Sequence, residues 1–158
     1  VREALDGITD GSTVMISGFG LAGQPRELIH GLLEQGAKDL VIVSNNAGNG
    51  ETGLAALLKA DRVRKVVCSF PRQADSWVFD KLFLAGKIEL ELVPQGNLAE
   101  RIRAGGAGIP AFYSPTGYGT VLGEGIEARE FGGVHTILQR AIVADVALVS
   151  AYRSDTWG

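Results

Sequence analysis

A chain of 158 residues, 46 % hydrophobic and 21 % charged, fits one globular domain over residues 1–158 and excludes fibrous or disordered classes. Its net charge of −3, with basic residues scattered, gives no basic stripe for nucleic acid. No apolar run approaches the ~20 residues of a membrane span. The 22 glycines, against 5 prolines and without a repeat period, point to tight turns and close backbone approaches rather than to collagen.

The chain opens in a helical pattern, Val1-Arg2-Glu3-Ala4-Leu5, without a methionine, so its N-terminus reads as trimmed. The β-branched run Thr13-Val14-Met15-Ile16 predicts a first strand, and the stripe Leu28, Ile29, Leu32, Leu33 a helix over Arg26 to Gln35. Leu40 to Val43 and Val63 to Val67 predict two more strands, with helices over Gly53 to Lys59 and Ser76 to Leu84. Cys68, the single cysteine, reads as a buried thiol of a cytoplasmic protein. Ile88 to Leu92 alternates apolar with acidic residues, as an edge strand does, and Leu98 to Ile102 is helical. Beyond Gly108 the pattern changes. Phe112-Tyr113, Gly117 to Thr120, Glu127 to Phe131 and Val134 to Leu138 read as short strands, with Gly132-Gly133 as a turn pair. Ala144 to Tyr152 then returns to the sheet. The prediction is an α/β fold: a mainly parallel sheet flanked by helices, with a small β-rich insertion.

Gly18-Phe19-Gly20-Leu21-Ala22-Gly23 satisfies G-x-G-x-x-G between a strand and a helix. A nicotinamide site also needs an acid closing the second strand. That strand ends in Ser44-Asn45-Asn46, and Asp39 lies at its other end. The loop therefore suits another anionic ligand at a strand's carboxyl end, or a bare strand–helix turn.

Asp10-Gly11, Ser17-Gly18-Phe19, Gly23 and Pro25, at their spacing, resemble the signature of family I CoA-transferases. Ser17 stands where the family shows a second glycine. Ser44-Asn45-Asn46-Ala47-Gly48, Pro94-Gln95-Gly96-Asn97 and Ser114-Pro115-Thr116-Gly117 continue the likeness in family order. Cys68 to Gln73, Asp75 to Asp80 and Asp155 to Gly158 resemble the members acting on 3-oxoadipate. Arg103 to Tyr113 is equally at home in the succinyl-CoA:3-oxoacid members. The balance favours the former. Family members continue past Trp157-Gly158, which implies trimming at that end too.

The resemblance implies a CoA-transferase-like (NagB/RpiA-like) fold and covalent ping-pong chemistry through a glutamyl-CoA thioester. It places the nucleophilic glutamate in a B subunit, in a Ser-Glu-Asn-Gly context absent from this sequence. It thus implies a hetero-oligomer of A and B chains, with CoA and succinyl-CoA as substrates and no permanently bound cofactor. Asn45, Asn46 and Gln95 are the implied supporting donors. Ser17, Gly18, Phe19, Gly20, Leu21, Ala22 and Gly23 form the implied CoA-binding loop. Arg72 is the candidate for a distal substrate carboxylate. The bland alternatives are an Asx turn for Asn45 and Asn46 and a helix entry for Gln95. Glu51 reads as a helix-start acid, and Arg101 and Arg103 as solvated partners of Glu100. His30 and His135 have no metal spacing. Rival readings are a sugar-phosphate isomerase-like enzyme and a sensing domain that binds acyl-CoA or a sugar phosphate without turnover.

Overall fold

A computed structural model describes residues 1–157. The chain divides into two compact units, one of Val1–Glu91 with Ala144–Gly158 and one of Leu92–Val143.

The first unit is an α/β layer structure. Strands β1 (Thr13–Ile16), β2 (Leu40–Val43), β3 (Val63–Cys68), β4 (Glu89–Leu92) and β8 (Val146–Leu148) form one sheet in the order β4-β3-β2-β1-β8. β1 runs parallel to β2 and to β8, with Val14 opposite both Ile42 and Val146, and β2 runs parallel to β3. The apolar runs of β1 and β2 thus lie inside the sheet; Val14, Ile16, Leu40 and Ile42 are buried on one face, while Thr13, Met15 and Val41 on the other are half-buried. β4 takes the edge its alternation predicts, and its acids Glu89 and Glu91 reach Lys65 at 2.8 and 2.9 Å. Those hydrogen bonds, the one to Glu89 first, raise the Lys65 pKa.

Helices α1 (Arg26–Gln35), α2 (Leu54–Lys59) and α3 (Trp77–Leu84) follow β1, β2 and β3. α1 buries Ile29 and Leu32 and stops at Gly36, whose φ of +96° lets its amide reach the Leu32 carbonyl. Val14, Leu32, Leu40, Ile42, Leu54, Leu57, Val66 and Phe79 belong to one buried cluster. The amino end is a single 3-10 turn, Glu3–Leu5, held by Leu5 in the core.

The second unit begins with α4 (Gln95–Gly106) and continues with β5 (Ala111–Ser114), β6 (Ala128–Phe131) and β7 (Val134–Arg140), an antiparallel sheet in the order β5-β7-β6. The glycine pair makes the β6–β7 turn, with φ of +58° and +81° at Gly132 and Gly133; positive φ at both positions marks a type I′ hairpin.

Two expectations change here. α4 runs well beyond Leu98 to Ile102, starting after Pro94 and continuing through Gly105. The glycine is there because a Cβ at Gly105 would lie 2.2 Å from the Ile142 carbonyl oxygen. Gly117 to Thr120 is not a strand: Gly117 and Gly119 have φ of +94° and +73°, and Thr120 caps a 3-10 turn, Val121–Gly123, by accepting from the Leu122 amide. Among the described residues, no helix is long and apolar enough to cross a membrane.

Candidate functional site

Parallel strands point their carboxyl ends the same way, and open α/β sheets bind ligands there. In the first unit, the segments following β1, β2 and β3 meet at that edge through side-chain and backbone hydrogen bonds.

The glycine loop after β1 is a miniature hairpin. Phe19 and Ala22 exchange both backbone hydrogen bonds, at 2.9 and 3.2 Å, around Gly20 at φ +62°. This takes two of the loop's amides away from any ligand. Phe19 and Leu21 stay 61 % and 47 % exposed at its tip. Gly18, at φ +120°, has no room for a side chain, since a Cβ there would lie 2.9 Å from the Ala22 carbonyl oxygen. The Ser17 hydroxyl donates to the Gly23 carbonyl and accepts from the Ser150 amide.

The segment after β2 carries the two asparagines, which differ in how they are used. Asn46 is buried, its Oδ1 accepting from the Gly48 amide at 2.8 Å and its Nδ2 donating to the Gly20 carbonyl at 3.4 Å. It therefore forms the Asx turn and braces the hairpin. Asn45 Oδ1 accepts from the Ser69 hydroxyl at 2.8 Å, while its carbonyl accepts from the amides of Ser69 and Phe70. Asn45 Nδ2 is buried and has no partner. Asn49 Oδ1 is in the same condition, and a buried polar atom left unmatched costs about 1–3 kcal/mol. Glu51 is paired with Lys59.

After β3, Arg72 is exposed and forked onto Asp80: Nε to Oδ1 at 2.9 Å and Nη2 to Oδ2 at 3.2 Å. Gln73 and Ser76 close this loop, the Ser76 hydroxyl accepting from the Gln73 amide and donating to the Gly48 carbonyl. Cys68, at the end of β3, is fully buried, and burial pushes its thiol from 9.0 up to about 12.

Gln95 belongs to the second unit, exposed in the first turn of α4. Two of the sequence motifs meet in that unit through Asn97, whose Nδ2 donates to the Thr116 carbonyl at 3.1 Å and whose Oδ1 accepts from the Ser114 hydroxyl at 2.8 Å. Arg103 pairs with Glu100 as expected. Arg101 donates to the Arg140 carbonyl at 2.6 Å, where its α4 face packs beside β7. His30 pairs with Glu34, and His135 stacks on Tyr118 at 4.8 Å.

Gln24 and Asn97 went unnoticed in the sequence. Both lie inside recognised motifs, Gly23-Gln24-Pro25 and Gly96-Asn97. An amide beside a motif glycine is the available signal.

Comparison with known proteins matches these features to one family. The model for "Coenzyme A transferase" matches residues 1–158. The chain is 65 % identical over 158 residues to the A subunit of the 3-oxoadipate CoA-transferase of Pseudomonas putida, covering 100 % of this chain and 68 % of that protein. It is 47 % identical over 156 residues to the A subunit of the succinyl-CoA:3-ketoacid coenzyme A transferase of Helicobacter pylori (strain J99), covering 99 % of this chain and 66 % of that protein. The solved structure of glutaconate coenzyme A-transferase from Acidaminococcus fermentans shares the fold, with a TM-score of 0.79 at 18 % identity over 92 % of this chain and 53 % of its own. With the whole of its length matched, the chain belongs to the Coenzyme A transferase family.

Proposed function

We propose that this chain is the A subunit of a 3-oxoadipate CoA-transferase, moving CoA from succinyl-CoA to 3-oxoadipate. The observation that carries this is its 65 % identity, over its full length, to the corresponding subunit of a 3-oxoadipate CoA-transferase, against 47 % to that of a succinyl-CoA:3-ketoacid enzyme.

The nucleophile is a glutamate of a partner B subunit, in a Ser-Glu-Asn-Gly context. Its carboxylate attacks the thioester carbonyl of succinyl-CoA and expels the CoA thiolate, leaving a mixed anhydride. The thiolate then attacks the glutamyl carbonyl and releases succinate, giving glutamyl-CoA. The carboxylate of 3-oxoadipate reverses both steps and leaves as its CoA thioester. Division into such steps replaces one difficult transfer with easier ones. CoA and its thioesters are substrates throughout.

This chain supplies donors. The unmatched Nδ2 of Asn45 is available to charge developing on the attacked carbonyl, where a fixed donor is worth about 2.7–4 kcal/mol. Asn46, with both amide atoms engaged, holds the loops in place. Gln95 acts as a second donor, and the Ser17–Gly23 hairpin presents Phe19 and Leu21 to the CoA thioester. Asp80 occupies one edge of the Arg72 guanidinium. The other edge, with Nη1, remains for the distal carboxylate of a dicarboxylic acid.

The test is reconstitution with the B subunit in the presence of either acceptor. CoA transfer should need both chains and prefer 3-oxoadipate to acetoacetate in kcat/KM. Preference for acetoacetate would assign the chain to the 3-ketoacid enzymes, and turnover by this chain alone would end the two-subunit scheme.

A further inference from the structure

The Gln24 side chain is 8 % exposed, and its Nε2 donates to the Gly20 carbonyl at 2.8 Å. The same carbonyl accepts from Asn46 Nδ2 at 3.4 Å. A carbonyl oxygen has two lone pairs, and here two side-chain amides take both. The orientation of each amide is determined. An Oε1 turned toward Gly20 would set acceptor against acceptor, so the nitrogen of Gln24 faces that oxygen. Asn46 is fixed from its other end, where Oδ1 accepts from the Gly48 amide.

Gln24 reaches this carbonyl through a slot between two glycines. A Cβ at Gly18 would lie 2.9 Å from Gln24 Cγ, and one at Gly53, φ +54°, would lie 2.3 Å from Gln24 Oε1. Oε1 is buried there without a partner. A side chain admitted only where two neighbours lack theirs, and kept despite an unmatched acceptor, is retained for its other end. That end sets the position of Gly20, the residue between the exposed Phe19 and Leu21.

We propose that Gln24 is a positioning residue for acyl-CoA: with Asn46 it clamps the Gly20 carbonyl and so sets the tip of the Phe19–Ala22 hairpin in its binding geometry. This rests on the CoA-transferase reading above. The amides touch no reacting atom. They act through the hairpin, so their loss falls on substrate affinity before turnover.

Two variants of near-equal volume, assayed as the complex with the B subunit, test the proposal. Gln24→Met fills the slot without an N–H. The complex should assemble with little change in Tm, while KM for succinyl-CoA rises about three- to tenfold, the worth of one neutral hydrogen bond, and kcat changes less. Gln24→Glu places an ionised acceptor against the carbonyl at neutral pH, so its KM should rise further. As the pH falls toward 5.5 the buried carboxyl protonates, regains a donor, and returns KM toward the wild-type value. Arg72 and Asp75, the charged groups on the neighbouring loop after β3, are common to wild type and variant, so the wild-type profile removes their contribution. If Gln24→Met fails to assemble, the Gln24→Glu pH profile decides. Wild-type KM in the assembled variants at every pH, or a loss of Tm with no pH-dependent recovery, would overturn the clamp. A wild-type complex that transfers no CoA from succinyl-CoA would instead defeat the functional reading beneath it.

Discussion

The Ser17 hydroxyl donates to the Gly23 carbonyl at 2.8 Å, closing the glycine loop across its neck. The same oxygen accepts from the Ser150 amide at 3.1 Å, which ties the loop to the segment after β8. A glycine at this position could do neither. Ser17→Ala should therefore cost about 1 kcal/mol and lower Tm by ~2–4 °C. Ser17→Gly should cost about 0.5–1 kcal/mol more through chain entropy. An unchanged melting curve for both would remove the staple.

Gly48 has φ +87°, and a Cβ on it would lie 2.5 Å from the Ala55 amide nitrogen. Strain and overlap act together, so Gly48→Ala should destabilise by about 2–4 kcal/mol. Gly86 is the control: its φ is +65° with open space around it, so Gly86→Ala should lose only ~1 kcal/mol. Equal losses on denaturant titration would mean that the packing of Gly48 on α2 is not close.

Burial lifts the Cys68 thiol to about 12 from 9.0. The folded state therefore keeps the proton that the unfolded chain releases. Stability is full below pH ~9 and falls as pH rises toward ~12, by about 1.4 kcal/mol per unit. Cys68→Val should flatten this part of the alkaline limb, leaving the loss that Lys65 adds as pH rises through its own raised pKa. Native protein at pH 8 should also resist thiol reagents until it is unfolded. Rapid labelling of the folded chain would refute the burial argument.

If Arg72 meets the distal carboxylate, Arg72→Ala should raise KM for 3-oxoadipate by about tenfold or more, as loss of a charged hydrogen bond does. KM for succinyl-CoA should change much less. An unchanged KM for 3-oxoadipate would remove Arg72 from the site and leave its guanidinium to Asp80 alone.

The helix α1 was legible to the residue from its apolar stripe, and the structure adds the stop at Gly36. The edge position of β4 was legible in its alternating acids. α4 was harder: glycines usually end a helix, and only the Ile142 carbonyl packed against Gly105 shows why this one continues. The motif Ser44-Asn45-Asn46 follows the carboxyl end of β2, yet its two amides are unlike. Asn46 spends both polar atoms on the chain, whereas Asn45 leaves one unmatched. Spacing carries no record of which lone pair is already taken. For the same reason nothing in the sequence distinguishes Gln24 beside its glycines: its role depends on the slot between Gly18 and Gly53.

The division of labour between chains is tested most directly by borohydride trapping after mixing with succinyl-CoA and the B subunit. Reduction of a glutamyl-CoA thioester marks the glutamate that carried it, and peptide mass spectrometry locates the mark. The expected result is a single modified glutamate on the B subunit, with Asn45→Ala in this chain slowing its appearance by about a hundredfold or more. A modified glutamate within this chain, or trapping at full rate without Asn45, would contradict the account.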